Sequence, residues 1–216
     1  MKAIDLTHNI CENMPMFPGS SSPSLHISSD YEKDGFRETL LTFLSHTGTH
    51  ADAPAHMLKS GKTLEEFPVT QFIGKALVID CRLLEEGQFI GFDGIEPVEE
   101  KAKNADFLLF NTGWDKRWES RDLYGNFPLL DCRVIEFIER HRFKGIGFDL
   151  MSPDKIEDAF CPIHKRLLRQ ENFIIIENLC NLELCGSDLF NFVCLPLKFA
   201  HSDGAPVRAV AWWEED

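Results

Sequence analysis

The sequence predicts a mixed α/β fold, a mixed β-sheet with flanking helices. Three observations carry this prediction. Short apolar runs of strand length recur along the chain, segments of helical period lie between several of them, and some runs are so continuously apolar that both faces must be covered.

In chain order the clearest strand segments are KALVID (75–80), ADFLLF (105–110), KGIGFDL (144–150), NFIIIE (172–177), FNFVCLPLKF (190–199) and PVRAVAWW (206–213). They are rich in the β-branched and aromatic side chains that suit a pleated, buried surface. An earlier strand, ETLLTFLS (38–45), runs into a stretch containing Gly and Pro. The clearest helix is LLDCRVIEFIERHR (129–142), where Asp131 can cap and Val134, Phe137 and Ile138 share one face. A second, PIHKRLLRQ (162–170), opens on Pro162 and turns Leu167 and Leu168 inward. No internal repeat, low-complexity tract or Gly/Ser linker interrupts the chain, and 216 residues can bury a sizeable core, so 1–216 is expected to form a single domain.

Composition narrows the function. With 22 basic against 35 acidic residues the net charge is -13, which repels phosphate backbones and anionic lipid surfaces, so neither nucleic acid nor membrane is an expected partner. The opening MKAIDLTHNI has no apolar segment of signal-peptide type and no run is long enough to cross a bilayer, which makes cytoplasmic the expected location. Seven cysteines with no CxxC pair indicate buried thiols, not a disulfide framework, a cysteine zinc site or a nucleophile. The tail EED (214–216) reads as a solvated end.

The segment HTGTHADAPAH (46–56) concentrates three histidines and an aspartate among Thr, Gly, Ala and Pro. On a helix, Asp52 would point away from the stacked pair His46 and His50, and Gly48, Thr47, Thr49 and Pro54 all disfavour that conformation. On a straight strand His46 and Asp52 would lie roughly 20 Å apart, too far for one ion. The groups converge only if the chain coils tightly, with Gly48 as pivot. Two imidazoles and a carboxylate without a thiolate suit Zn²⁺, Mn²⁺ or Fe²⁺ and leave a position open, the mark of a catalytic site. His56, two residues past Pro54, is then placed as a proton acceptor beside the metal.

Glu177 ends an intensely apolar strand and should meet a cation, a metal or a donor. His164, thirteen residues earlier on the preceding helix, can be brought to it by a helix-turn-strand hairpin, and the two are candidates to complete the metal site. Phe17, held among prolines in ENMPMFPGS (12–20), is a candidate aromatic wall of a substrate pocket, with core packing as the alternative. Trp114, in the NTGWD loop (111–115), is a candidate ligand contact, again with packing as the alternative. HSDGAPVR (201–208) reads as a turn with structural work only.

These residues together resemble a known family. SHTGTHADAPAH is similar to the HxGTHxDxPxH signature of the metal-dependent cyclase/hydrolase family that includes bacterial kynurenine formamidases and isatin hydrolases. MPMFPG, NTGWD, GIGFDLMSPD and LPLKFAHSDGAPVRAVA extend the likeness along most of the chain. The resemblance implies His46, His50 and Asp52 as metal ligands, with Asp52 able to bridge to a second ion, His164 and Glu177 as further ligands, and His56 as catalytic acid/base. It also implies a swivelling β/β/α-like fold, one or two Zn²⁺ ions with Mn²⁺ as the other choice, and a homo-oligomer, dimer or tetramer. Phe17 and Ser20 depart from the family's usual pocket loop, and His201 stands where a small residue is common.

The expected function is a metal-dependent hydrolase opening a C–N bond in a small formamide or cyclic amide, as an arylformamidase does. The alternatives are a metal-assisted cyclase, dehydratase or lactone hydrolase, and a metal or small-molecule binding protein without turnover. A free base at His56 is what separates enzyme from binder.

Overall fold

Each apolar run becomes a strand in the computed structural model, which describes residues 1–214; of the tail, Glu214 is exposed and residues 215 and 216 lie outside the described residues. The strands are β1 (Lys2–Asp5), β2 (Ser24–Ser29), β3 (Glu38–Thr42), β4 (His50–Asp52), β5 (Ile73–Asp80), β6 (Phe89–Ile90), β7 (Phe107–Asn111), β8 (Leu129–Leu130), β9 (Gly145–Phe148), β10 (Ile174–Glu177), β11 (Phe190–Pro196) and β12 (Gly204–Trp213). The α-helices are α1 (Tyr31–Asp34), α2 (Pro54–Met57), α3 (Glu99–Ala102), α4 (Cys132–Arg140) and α5 (Pro162–Leu167).

The main sheet runs β1-β12-β11-β5-β7-β9-β10-β4, and β4 pairs again with β12, so the sheet rolls into a barrel-like ring. Long β12 makes this possible: Gly204 to Pro206 face β4, while Val210 to Trp213 face β1. The expected mixed sheet with flanking helices is therefore present, in closed form.

Parallel neighbours β5, β7, β9 and β10 form the part of the ring that is apolar on both faces. Alternation divides their side chains between two cores. Leu77, Ile79, Leu108, Phe110, Ile146 and Phe148 pack outward against Val134, Phe137 and Ile138 of α4 and Leu167 of α5. Ala76, Val78, Phe107, Leu109, Ile174 and Ile176 face the other way, toward Phe190, Phe192 and the alanines of β12. The α4 cap forms as the sequence predicts, with the Val134 N–H donating to Asp131 Oδ1 at 2.8 Å.

The strand expected at 38–45 ends at Thr42 and joins no core. It pairs only with β2, in a separate hairpin, and every residue of β3 is exposed, including Leu40 and Leu41. An apolar run reads the same whether it faces a core or stands away from one, and this run stands away. No helix among the described residues is long and apolar enough to cross a membrane.

Candidate metal centre

The 46–56 segment solves its geometric problem with three conformations in succession. Gly48 turns the chain at φ +65°, in the left-handed region open to glycine. His50 to Asp52 then form β4, a short strand and not the compact loop that spacing alone suggested, and alternation sends His50 and Asp52 to the same side. Pro54 opens α2, a single turn that presents His56. Because β4 lies between β10 and β12, its register sets Glu177 opposite His50 and Gly204 opposite Asp52.

Asp52 is the hub of the result. Its Oδ1 lies 2.7 Å from His46 Nδ1 and 3.3 Å from His50 Nε2, while its Oδ2 lies 3.6 Å from His164 Nε2. Glu177 bridges the two imidazoles beside it, with Oε1 3.1 Å from His164 Nε2 and Oε2 3.4 Å from His50 Nε2. Among the described residues two groups able to hold an ion therefore share one carboxylate: His46, His50 and Asp52, and Asp52, His164 and Glu177. The structure brings all five sequence-predicted ligand candidates together.

Each imidazole is oriented from behind. His50 Nδ1–H donates to the Gly48 carbonyl at 2.8 Å, leaving Nε2 to face the cluster. His164 Nδ1–H donates to Asp154 Oδ2 at 2.7 Å, and the same carboxylate accepts the backbone N–H groups of Ile163 and His164, so it caps the start of α5 while it aims the ring. His46 Nε2–H donates to Asp203 Oδ2 at 3.0 Å, leaving Nδ1 toward Asp52. This arrangement, one nitrogen inward and the other tied to a carboxylate or carbonyl, is how proteins orient metal-ligating histidines. The residue types fit a divalent ion on a further count: Asp52 Oδ2 is buried with no hydrogen-bond partner, His164 Nε2 at 3.6 Å lying beyond hydrogen-bond distance, an expensive state for a carboxylate oxygen.

Electrostatics points the same way. Burial opposes charge on His46 and on His164. The carboxylates nevertheless outweigh it, lifting His46 to about 9 through Asp52 and Asp203, and His164 to about 12 through Asp154, Asp52 and Glu177. Asp52 is also buried, yet the surrounding imidazoles hold it well below the usual carboxylate range. Glu177 is raised, by burial and then by Asp52 beside it. Without metal the two histidines thus carry protons at neutral pH, and binding must displace them. We expect zinc uptake at pH 7.5 to release about two protons per chain, so that affinity climbs as pH rises and falls as it drops. Calorimetry in buffers of different ionisation enthalpy measures this, and uptake with no proton release would contradict it.

His56 differs from its neighbours. Burial, reinforced by His46 and His164, depresses it to about 4 against the opposing pull of Asp52 and Asp203. It is a neutral base at pH 7. Its ring centroid lies 3.9 Å from that of His46 and 5.9 Å from that of His164, beside the cluster.

Three residues at this centre went unread in the sequence. Asp154 and Asn178 are buried partners of the ligand shell, Asn178 donating through Nδ2 to the Gly48 carbonyl at 3.1 Å. Asp203 corrects the purely structural reading of 201–208: the turn delivers a carboxylate to His46 and, at 3.9 Å, to His56 Nδ1. Among the described residues, the other two candidates make no contact with these ligand groups. Phe17 is exposed on a turn closed by the Ser20 N–H to the Phe17 carbonyl. Trp114 is only 3% exposed, packs edge-on against Phe127, and donates its indole N–H to the Leu123 carbonyl at 3.0 Å. Packing, the alternative left open for Trp114, describes this placement.

The geometry has counterparts in known proteins. The kynurenine formamidase of Bacillus cereus is 29% identical over 208 residues, spanning 96% of this chain and 95% of its own. Isatin hydrolase A from Labrenzia aggregata, solved with benzyl benzoate, superposes with a TM-score of 0.86 at 25% identity, over 97% of this chain and 93% of its own. A predicted metal-dependent hydrolase from Bacillus stearothermophilus superposes with a TM-score of 0.77 at 25% identity, over 97% of both chains. The family model described as putative cyclase matches residues 4–155, which hold the whole 46–56 segment, and the chain belongs to that family.

Proposed function

We propose that this protein is a metal-dependent hydrolase that opens the C–N bond of a small formamide or cyclic amide. The observation that carries the reading is a pair of ligand groups sharing Asp52, with a neutral imidazole, His56, beside them that neither group uses. Relatives named for a formamide and for isatin, a cyclic amide, support the substrate class.

In this reading His46, His50 and Asp52 would hold one divalent ion and Asp52, His164 and Glu177 a second. Zn²⁺ is the ion proposed, and Mn²⁺ suits the same donors. When bound, such an ion supplies a Lewis acid for the substrate carbonyl and brings water toward ionisation near neutral pH. The chain's own residues do the rest. His56 takes a proton from the attacking water and returns it to the departing nitrogen. Asp52 and Asp203 face the imidazolium formed between these steps. Phe17, whose ring is exposed, is proposed as the aromatic wall for a planar substrate. A cytoplasmic location and a dimer or tetramer complete the proposal, the latter supported by exposed Ile27, Leu40 and Leu41 on the β2–β3 hairpin.

The test is metal analysis of protein purified without chelators, with a screen of formamides, cyclic amides and lactones. Chelation should abolish turnover while far-UV circular dichroism stays unchanged, and Zn²⁺ or Mn²⁺ should restore it. Full activity in metal-free protein would overturn the proposal.

A further inference from the structure

The geometry points to Asp203 as a positioning residue serving both imidazoles at the exposed side of the centre. It accepts the Nε2 proton of His46, which makes Nδ1 the nitrogen turned toward Asp52, and it faces Nδ1 of His56.

Four observations converge on it. The carboxylate is placed by main chain: the Ala53 N–H donates to the Asp203 carbonyl at 2.9 Å, and Gly204 is in register with Asp52 where β12 closes on β4. His46 lies flat against the backbone just after it, since a Cβ on Gly204 would sit 2.4 Å from His46 Cε1. That close approach leaves the ring little freedom, and Asp203 accounts for its remaining degree, the choice of which nitrogen faces inward. His50 and His164 are tied from behind by Gly48 and Asp154, so His46 without Asp203 would be the one ligand histidine whose tautomer nothing fixes. Finally, one oxygen, Oδ2, is 3.0 Å from His46 and 3.9 Å from His56, so a single group can hold a ligand and face the base.

His46, His56 and Asp203 also lie close enough to hold an ion themselves, and a test must separate that arrangement from positioning. The inference rests on the metal-centre reading above. Zn²⁺ affinity of the wild type, Asp203→Ala and Asp203→Asn is measured by competition with a chromophoric chelator, with the histidine side chains followed by ¹⁵N NMR in the zinc-loaded proteins. Asp203→Ala should weaken one of two ions by about 10- to 100-fold and leave the other unchanged. It should also erase the ¹⁵N pattern of an Nδ1-bound, Nε2-protonated His46. Asp203→Asn, whose amide oxygen still accepts from Nε2–H, should restore both. Unchanged affinity and an unchanged ¹⁵N pattern in Asp203→Ala would overturn the inference while the metal centre stands. Loss of a third ion in Asp203→Ala would make Asp203 a ligand and overturn it as well. A wild type that binds no zinc would overturn both readings.

Discussion

His56→Ala should lower kcat by about 10² to 10⁴ while bound metal and melting temperature stay at wild-type values. That loss corresponds to about 3 to 5 kcal/mol of barrier, the contribution of a well-placed proton carrier. The separation of effects follows from geometry. His56 projects from α2, after the strand that carries His50 and Asp52, and both ligand groups that share Asp52 are complete without it. Its depressed pKa, set first by burial, keeps it unprotonated and able to accept at pH 7. Metal analysis, thermal melting and steady-state kinetics on one substrate from the screen decide the matter. Metal lost in step with activity would make His56 a ligand, and an unchanged kcat would remove it from the reaction.

Asp52→Ala is expected to have the larger structural effect. Bound zinc should fall from about two ions per chain to well under one, since each group loses its shared anionic donor. The metal-free protein should also lose about 3 to 5 kcal/mol, because protonated His46 and His164 would remain without the carboxylate that faces both. Chemical denaturation of the metal-free variant against chelated wild type isolates this term. Retention of two ions would show that the sites do not share Asp52.

Most of this centre was legible because its informative residues are close in sequence or end an unmistakable strand. His46, His50, Asp52 and His56 fall within eleven residues. Glu177 is legible because IIIE ends an intensely apolar strand on a carboxylate, a group costly to bury unpaired. Asp203 was not legible in the same way. It lies 157 residues from His46, and Ser-Asp-Gly has an ordinary meaning as a turn. Asp154 was hidden similarly in the Ser-Pro-Asp of a loop, its role visible only once α5 places His164 over it. For the fold, strands covered on both faces announced themselves through uninterrupted apolar runs. Ring closure did not, because it depends on which edges meet. The fate of 38–45 was hidden too, since Leu40 and Leu41 look like core until one sees that the hairpin has none to join.

Ring closure by β4 has a consequence for how the molecule is held together. Three residues on each side form the joint: Asp52, Ala51 and His50 against Ile175, Ile176 and Glu177, and again against Gly204, Ala205 and Pro206. A joint this short has few backbone hydrogen bonds, and its ends carry His50, Asp52 and Glu177, side chains that repel or attract according to what lies between them. Ions there would act as a clasp across the place where the early, middle and final parts of the chain meet. If ions sit there, metal exchange would need only a local parting of this seam, below the free energy of unfolding the barrel, and the protein could be emptied and refilled without passing through its denatured state.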